Sequence, residues 1–156
     1  MIDIERRLAV LDLNARYAEA IDEGRLEDWP DFFTEDGRYR VTTAENVEQG
    51  LPLSMIYATS RAMLRDRVKA LREANIYEAQ RYRHILGPSR IEFGADGTLH
   101  ASTGFMVARI MHTGETALFA TGSYRDRIAE ADQVRFAERT VILDSRQIDT
   151  LLAIPL

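Results

Sequence analysis

The sequence lacks several kinds of residue, and each absence narrows what the chain can be. It has no cysteine, so it forms no disulfide, offers no thiolate nucleophile and ligates no iron–sulfur cluster, because common and Rieske clusters both need cysteine. No apolar run approaches the roughly 18–20 residues that span a bilayer. The first residues, Met1–Glu5, lack the basic-then-apolar pattern of a signal peptide. We therefore expect a cytoplasmic protein that does not enter the membrane.

Basic residues are fewer than acidic ones, and both are unevenly distributed along the sequence. The formal net charge is −5 and the sequence pI is about 5.3, which disfavours nucleic-acid binding. Residues 1–50 carry 13 acidic and 6 basic side chains, whereas residues 61–90 carry 3 acidic and 8 basic ones. Lys69 is the single lysine, so 19 of the 20 basic residues are arginine. Codon bias in a GC-rich genome explains the arginine excess as well as a function does, but arginine is also enriched at protein interfaces.

Hydrophobic periodicity predicts mainly helices in the first half of the chain. A helix is predicted over 4–23, with an apolar stripe of Ile4, Leu8, Leu11, Ala15 and Ala18 that Tyr17 and Ile21 widen. A short helix over about 26–33, a strand from Arg38 to Thr42 and a loop over 43–55 follow. A long helix is then predicted over 57–76, with an inward face made of Leu64, Val68, Leu71 and Asn75 beside Met63.

From Arg81 onward the period changes to two, which predicts strands at about 81–93, 99–112, 116–129 and 134–143. Short turns make these strands antiparallel neighbours, and Gly87-Pro88 indicates a bend or an edge position in the first of them. At 156 residues the chain fits one domain, spanning 1–156. The order of elements predicts an α+β fold in which a long helix packs on a curved antiparallel sheet.

The sequence contains none of the common catalytic, phosphate-binding or metal-binding motifs. The histidines, His84, His100 and His112, have no i, i+4 spacing, and a straight strand would hold the last two roughly 40 Å apart. There is no Gly-x-Ser-x-Gly and no phosphate-binding glycine loop. We expect no catalytic, cofactor or metal site in this chain.

Acid/base catalysis in an interior cavity is the enzymatic alternative. Six side chains could supply a general base and oxyanion donors: Tyr17, Asp31, Tyr39, Tyr57, His84 and Asp126. The structural alternative is that the tyrosines fill the core with their hydroxyls hydrogen-bonded and that Asp31 is solvated. Both interpretations remain open at this stage.

Several segments together resemble the small (beta) subunits of Rieske-type aromatic-ring-hydroxylating dioxygenases. They are Tyr17–Asp36, Asp66–Val68, Arg81–Ile85, Gly122–Asp126 and Glu138–Asp144, in that order and spacing. The segments Leu71–Glu78, Arg81–Gly87 and Phe105–Thr116 look most like the terephthalate 1,2-dioxygenase branch of this family. One departure leaves the branch open, because the family's usual tryptophan after the long helix is replaced near Ile76-Tyr77.

The resemblance implies a cone-shaped fold of the NTF2-like (cystatin-like) type and a structural role. It implies a large (alpha) partner subunit that holds the Rieske [2Fe–2S] cluster and a mononuclear iron, takes electrons from NADH through a reductase and dihydroxylates an aromatic ring. The small subunits would form a homotrimer within an alpha3beta3 assembly and ligate no metal. A stand-alone isomerase or dehydratase that uses the cone cavity is the alternative.

The family-like segments also supply candidates for subunit contacts. These are Arg67, Arg81, Arg83, His84, Arg125 and Asp126. Neighbouring residues of a strand point to opposite faces. We therefore expect one of Arg83 and His84 to face the interior and the other to face a neighbouring subunit. The uncharged end, Leu151–Leu156, would be a sticky patch in water, so we expect it to dock on its own sheet or across a subunit boundary.

Overall fold

A computed structural model describes residues 1–74, 78–147, 152 and 154–156. The first helix, α1, spans Ile4–Asp22 and begins where the Asp3 carboxylate accepts the backbone N–H of Arg6 at 2.8 Å. It ends at Gly24, whose φ of 74° is the left-handed geometry that glycine adopts freely. The predicted helix over 4–23 is thus confirmed, although its buried face differs from the expected one.

After α1, the described chain forms a 3₁₀ turn, two further helices and six strands. A 3₁₀ turn at Trp29–Phe32 leads into β1 (Phe33–Thr43), α2 (Ala44–Glu48), β2 (Ile56–Ala58), α3 (Arg61–Ala74), β3 (Gln80–Phe93), β4 (Leu99–Met111), β5 (Thr116–Glu130) and β6 (Val134–Leu143). The four predicted strands of the second half are all present, within one residue of their predicted ends.

All six strands form one sheet in the order β2-β1-β6-β5-β4-β3. Consecutive strands from β3 to β6 pair antiparallel, as predicted, and β3 is an edge strand whose register shifts between Leu86 and Ser89, at the predicted bend. The strand β1 pairs parallel with β6, because α2, β2, α3 and three strands separate them in the chain. The predicted α+β architecture, with the long helix on the sheet, is confirmed.

The apolar stripe predicted for α1 is partly wrong. Tyr17, Ala18 and Ile21 are buried as predicted, whereas Ala15 is exposed. Ile4, Leu8 and Leu11 are 67%, 57% and 43% exposed. The helix instead buries the face made of Val10, Leu13, Asn14, Tyr17, Ala18, Ala20 and Ile21. The prediction missed Asn14, a polar residue that faces inward because its side chain forms hydrogen bonds with Thr103 and Arg139 in the core.

Other local predictions need smaller corrections. The expected helix over 26–33 is one 3₁₀ turn, and the expected loop over 43–55 contains α2, which the Thr43 hydroxyl caps by accepting the Asn46 N–H at 3.2 Å. The long helix starts at Arg61, since the preceding residues form β2 against β1. On that helix Leu64 and Val68 are buried and Met63 is exposed. Asn75, Ile76-Tyr77, Leu151 and Ala153 lie outside the described residues.

Candidate functional site

The interior between the helices and the sheet is occupied by the end of the chain. Leu152, Ile154 and Leu156 are 8%, 7% and 0% exposed and belong to the hydrophobic core. The Tyr17 hydroxyl donates to the Leu156 carbonyl oxygen at 2.6 Å and the Tyr39 hydroxyl donates to the same oxygen at 2.9 Å. The Leu156 N–H donates back to the Tyr39 hydroxyl at 3.1 Å. Of the two docking modes expected for this segment, docking on its own domain is therefore the observed one.

Tyr17 and Tyr39 hold this segment as hydrogen-bond donors. Burial raises the pKa of Tyr17 above its ordinary value and raises the pKa of Tyr39 and Tyr124 well above it. The Trp29 indole N–H donates to the Tyr17 hydroxyl at 3.2 Å, which extends the network to the 3₁₀ turn. Phenols in such surroundings stay neutral, so Tyr17 and Tyr39 act as hydrogen-bond donors to Leu156.

A buried ion pair lies beside this network. Arg139 on β6 and Asp126 on β5 are cross-strand neighbours with fully buried side chains, joined by Nε–Oδ1 and Nη2–Oδ2 contacts of 2.8 and 2.7 Å. Arg139 also donates to the Asn14 side-chain carbonyl on α1. Its guanidinium carbon stands 4.3, 3.8 and 3.9 Å from the ring centroids of Tyr17, Tyr124 and Phe136, respectively. The pair therefore ties the helix to the centre of the sheet.

The charge state of this pair follows from its surroundings. Burial alone would lower the pKa of Arg139, but Asp126 outweighs burial, so the pKa stays above its ordinary value. Burial raises the pKa of Asp126, and the guanidinium of Arg139 offsets part of that rise. With both carboxylate oxygens bound to Arg139, Asp126 is engaged as a structural ion.

A second buried pair connects α1 to the edge strand β3. The His84 Nδ1 lies 2.6 Å from the Asp22 Oδ1, and the His84 backbone N–H donates to the Asp22 Oδ2 at 2.9 Å. The His84 side chain is 0% exposed, and its Nε2 has no hydrogen-bond partner among the described residues. Arg83, the preceding residue of β3, is exposed, but its Nη1 lies 3.9 Å from the Asp22 Oδ2, so both neighbours approach the same carboxylate. Of the two expected orders, His84 is therefore the residue whose side chain is in the interior.

The six candidates for acid/base chemistry do not converge on one point. Tyr17 and Tyr39 share Leu156 as a hydrogen-bond partner, and Tyr17 and Asp126 both contact Arg139. His84 is held by Asp22 and Asp126 by Arg139. The other two candidates, Asp31 and Tyr57, are exposed.

The candidates for subunit contacts divide into two groups. Arg81, Arg83 and Arg125 are exposed, and Arg67 is half-buried, with its guanidinium donating to the Leu152 carbonyl at 3.2 Å. The other two, His84 and Asp126, make their observed contacts inside their own chain.

Across residues 1–74, 78–147, 152 and 154–156, no group of three or more His, Asp or Glu side chains is arranged to hold a metal ion. In the same part of the chain no helix is long and apolar enough to cross a membrane.

Sequence reasoning did not single out Asn14, Asp22 and Arg139 as site residues. A signal was present for Arg139, because strand alternation places it on the same face as Val141 and Leu143, where a charged side chain needs a buried partner. Asp22 falls one helical turn after Ala18 on the buried face of α1. Strand alternation and helical spacing do not identify the partners of Arg139 and Asp22. Those partners are known only from the tertiary structure.

Comparisons with known proteins agree with this architecture. The SnoaL-like domain family matches residues 3–140. The chain is 49% identical to the terephthalate 1,2-dioxygenase terminal oxygenase component subunit beta 1 of Comamonas sp over 96% of this chain and 97% of that one. It is 36% identical to the anthranilate 1,2-dioxygenase small subunit of Burkholderia cepacia over 99% and 96%.

A solved structure supports the same assignment. The chain superposes with a TM-score of 0.87 and 38% identity on a crystal structure described as the beta subunit of an aromatic-ring-hydroxylating dioxygenase from Novosphingobium aromaticivorans, covering 97% of both chains. The NTF2-like fold and the likeness to the terephthalate branch, both expected from the sequence, are thereby confirmed. The chain belongs to the SnoaL-like domain family and, within it, to the small (beta) subunits of aromatic-ring dioxygenases.

Proposed function

We propose that this chain is the non-catalytic, structural subunit of a terminal oxygenase that dihydroxylates an aromatic ring, and that it acts as one domain over 1–156 in the cytoplasm. The observation that supports it most is the near full-length identity to dioxygenase small subunits. The interior supports it too, since Tyr17 and Tyr39 are engaged by hydrogen bonds to the buried Leu156.

The chemistry would lie in the partner. We propose a large (alpha) subunit that holds a Rieske [2Fe–2S] cluster and a mononuclear iron and receives electrons from NADH, with the small subunits as a homotrimer in an alpha3beta3 assembly. This chain has no cysteine to ligate such a cluster. Its own contribution would be a rigid, charged surface, to which Arg67, Arg81, Arg83 and Arg125 belong as proposed contact residues.

Co-expression with a large subunit of a related oxygenase tests the proposal. The chain alone should carry no iron and turn over no aromatic acid, whereas the co-purified complex should contain iron, the visible spectrum of a Rieske cluster and ring-dihydroxylating activity. About one iron per chain in the purified chain alone would contradict the proposal. Failure of the two chains to co-purify at moderate salt would also count against it.

A second candidate, an acid/base lyase or isomerase, rests on one observation. The Asp22 carboxylate orients the His84 imidazole, whose buried Nε2 has no partner in the part of the chain that the structure describes. A general base is often held in this way. Assembled oxygenase containing His84→Ala distinguishes the two roles. Normal assembly with nearly complete loss of turnover would favour proton transfer by His84, and impaired folding or assembly favours the structural role.

A further inference from the structure

The first helix, α1, carries a second apolar face that its own domain does not cover. Ile4, Leu8 and Leu11 are 67%, 57% and 43% exposed, and Ala15 is exposed as well. The opposite side of α1 is buried in the core. A helix on the surface of a domain normally has one apolar stripe and one polar face, so a helix with two apolar faces is expected to be covered on both sides. We call Ile4, Leu8, Leu11 and Ala15 the α1 seam.

The spacing of the seam indicates the shape of what covers it. Its four residues are separated by intervals of four, three and four residues. These are the intervals of the a and d positions through which one helix packs lengthwise against another. A strand presents its side chains at a period of two, which does not match this spacing. The α1 seam therefore fits a helix that lies along α1.

Charged residues border the seam on both sides. Glu5, Asp12 and Glu19 recur every seven residues along one border, and Arg7 lies on the other. Asp12 is paired with Arg16 at 2.7 Å. Among the described residues, no opposite charge lies within ion-pair distance of Glu5, Glu19 or Arg7. Charges that flank such a seam select the partner helix, so the complementary helix is basic along one flank and has a carboxylate on the other.

A second copy of α1 does not meet these requirements. In an antiparallel pair the acidic border of one helix would lie against the acidic border of the other, which is repulsive. In a parallel pair Arg7 would lie opposite Asp12 of the other copy, which Arg16 already neutralises. Glu5 and Glu19 would then still have no cation. The charges therefore favour a helix from a different chain.

The size of the seam leads to the same conclusion. From Ile4 to Ala15 it is roughly 16 Å long and about 10 Å wide, or on the order of 160 Å². One partner contributes roughly 800 Å² to a standard-size interface. The seam is too small to hold two copies together by itself, and it suits a chain that also binds elsewhere on the molecule.

We propose that the α1 seam is the place where an amphipathic helix of the large subunit docks. That helix has apolar residues at intervals of three and four, basic side chains toward Glu5 and Glu19, and a carboxylate toward Arg7. This inference rests on the proposed function, which supplies the large subunit, and it specifies which surface of the small subunit receives it.

Site-specific photo-crosslinking in the co-expressed complex tests the occupant. A benzophenone amino acid replaces Leu8, and a matched probe replaces Leu53, which is similarly exposed at 59% but precedes β2. The Leu8 probe should form an adduct with the large subunit, and the crosslinked peptide should have apolar residues at intervals of three and four. An adduct of twice 17.8 kDa from the Leu8 probe, or no adduct of that probe with the large subunit, would overturn the proposal.

Binding measurements on purified subunits supply a second test. Leu8→Glu should raise the dissociation constant for the large subunit at least tenfold, whereas Leu53→Glu should leave it within twofold. Both side chains are exposed, so the isolated variants should keep the wild-type melting temperature. Glu19→Lys should also weaken binding, whereas Glu115→Lys, an exposed reversal in the turn between β4 and β5, should not.

The outcomes separate this inference from the proposed function. If the wild-type chain binds no large subunit, both are wrong. If the wild-type chain assembles an active oxygenase and Leu8→Glu binds the large subunit equally well, this inference alone is wrong.

Discussion

Replacing Arg139 by methionine should destabilise the fold more than any exposed arginine substitution. The substitution leaves the Asp126 carboxylate buried without its cation and leaves the Asn14 carbonyl without a donor. Breaking a buried pair from one side costs about 3–5 kcal/mol, because the remaining ion is uncompensated. The guanidinium also loses the aromatic rings that stand about it, which adds to the cost.

That cost is a large part of the net free energy of unfolding of a whole domain. Net free energies of unfolding are about 5–15 kcal/mol, and in a domain of this size each kcal/mol shifts the melting temperature by roughly 2–4 °C. Arg139→Met should therefore lower the melting temperature by roughly 6–20 °C. Arg127→Met on the neighbouring strand is the matched control, since its pair with Glu138 is partly exposed and at 4.0 Å, and it should cost under about 1 kcal/mol.

A double substitution separates the charge effect from packing. If the uncompensated carboxylate causes the loss, Arg139→Met combined with Asp126→Leu should recover most of it, because buried pairs replaced by apolar groups are often neutral in stability. Urea unfolding followed by circular dichroism and by Trp29 fluorescence measures each variant. A single substitution that costs less than about 1 kcal/mol, or a double variant no more stable than the single one, would refute the reasoning.

The other predictions concern the end of the chain, the edge strand and the metal content. Removal of residues 151–156 should lower the melting temperature and the solubility, since it uncovers core that Leu152, Ile154 and Leu156 bury at about 1.5–3 kcal/mol each; an unchanged melting curve would contradict this. Tyr39→Phe should cost about 1–3 kcal/mol in urea unfolding, because the buried Leu156 N–H loses its acceptor. His84→Ala should reduce folding or assembly, measured by light scattering, because the buried Asp22 carboxylate loses its partner. Elemental analysis of the purified chain should find no stoichiometric iron or zinc.

The strand pattern of the second half could be predicted from sequence because alternation is a local signal. Turns such as Gly94–Gly97 and His112–Glu115 interrupt it at clear points, so the strand limits were nearly right. The helix α1 shows the opposite case. Its length follows from capping at Asp3 and Gly24, but its buried face depends on polar partners contributed by β3, β4 and β6.

The buried pairs could not be predicted for the same reason. Arg139 and Asp126 are 13 residues apart, and His84 and Asp22 are 62 apart, so no periodicity links either pair. Strand parity indicates that a charge points inward, and the tertiary fold alone supplies its counter-ion. The docking of Leu156 between Tyr17 and Tyr39 is likewise a contact between opposite ends of the chain.

The two surfaces of the sheet carry different parts of the function proposed for this chain. On the inner face, Asp126 and Arg139 neutralise each other and Leu156 is part of the hydrophobic core. On the opposite face of the sheet, which points away from the helices, the same strands β5 and β6 carry Arg125, Arg127 and Glu138. Because each strand residue serves one face only, filling the interior with its own side chains does not constrain the outer residues.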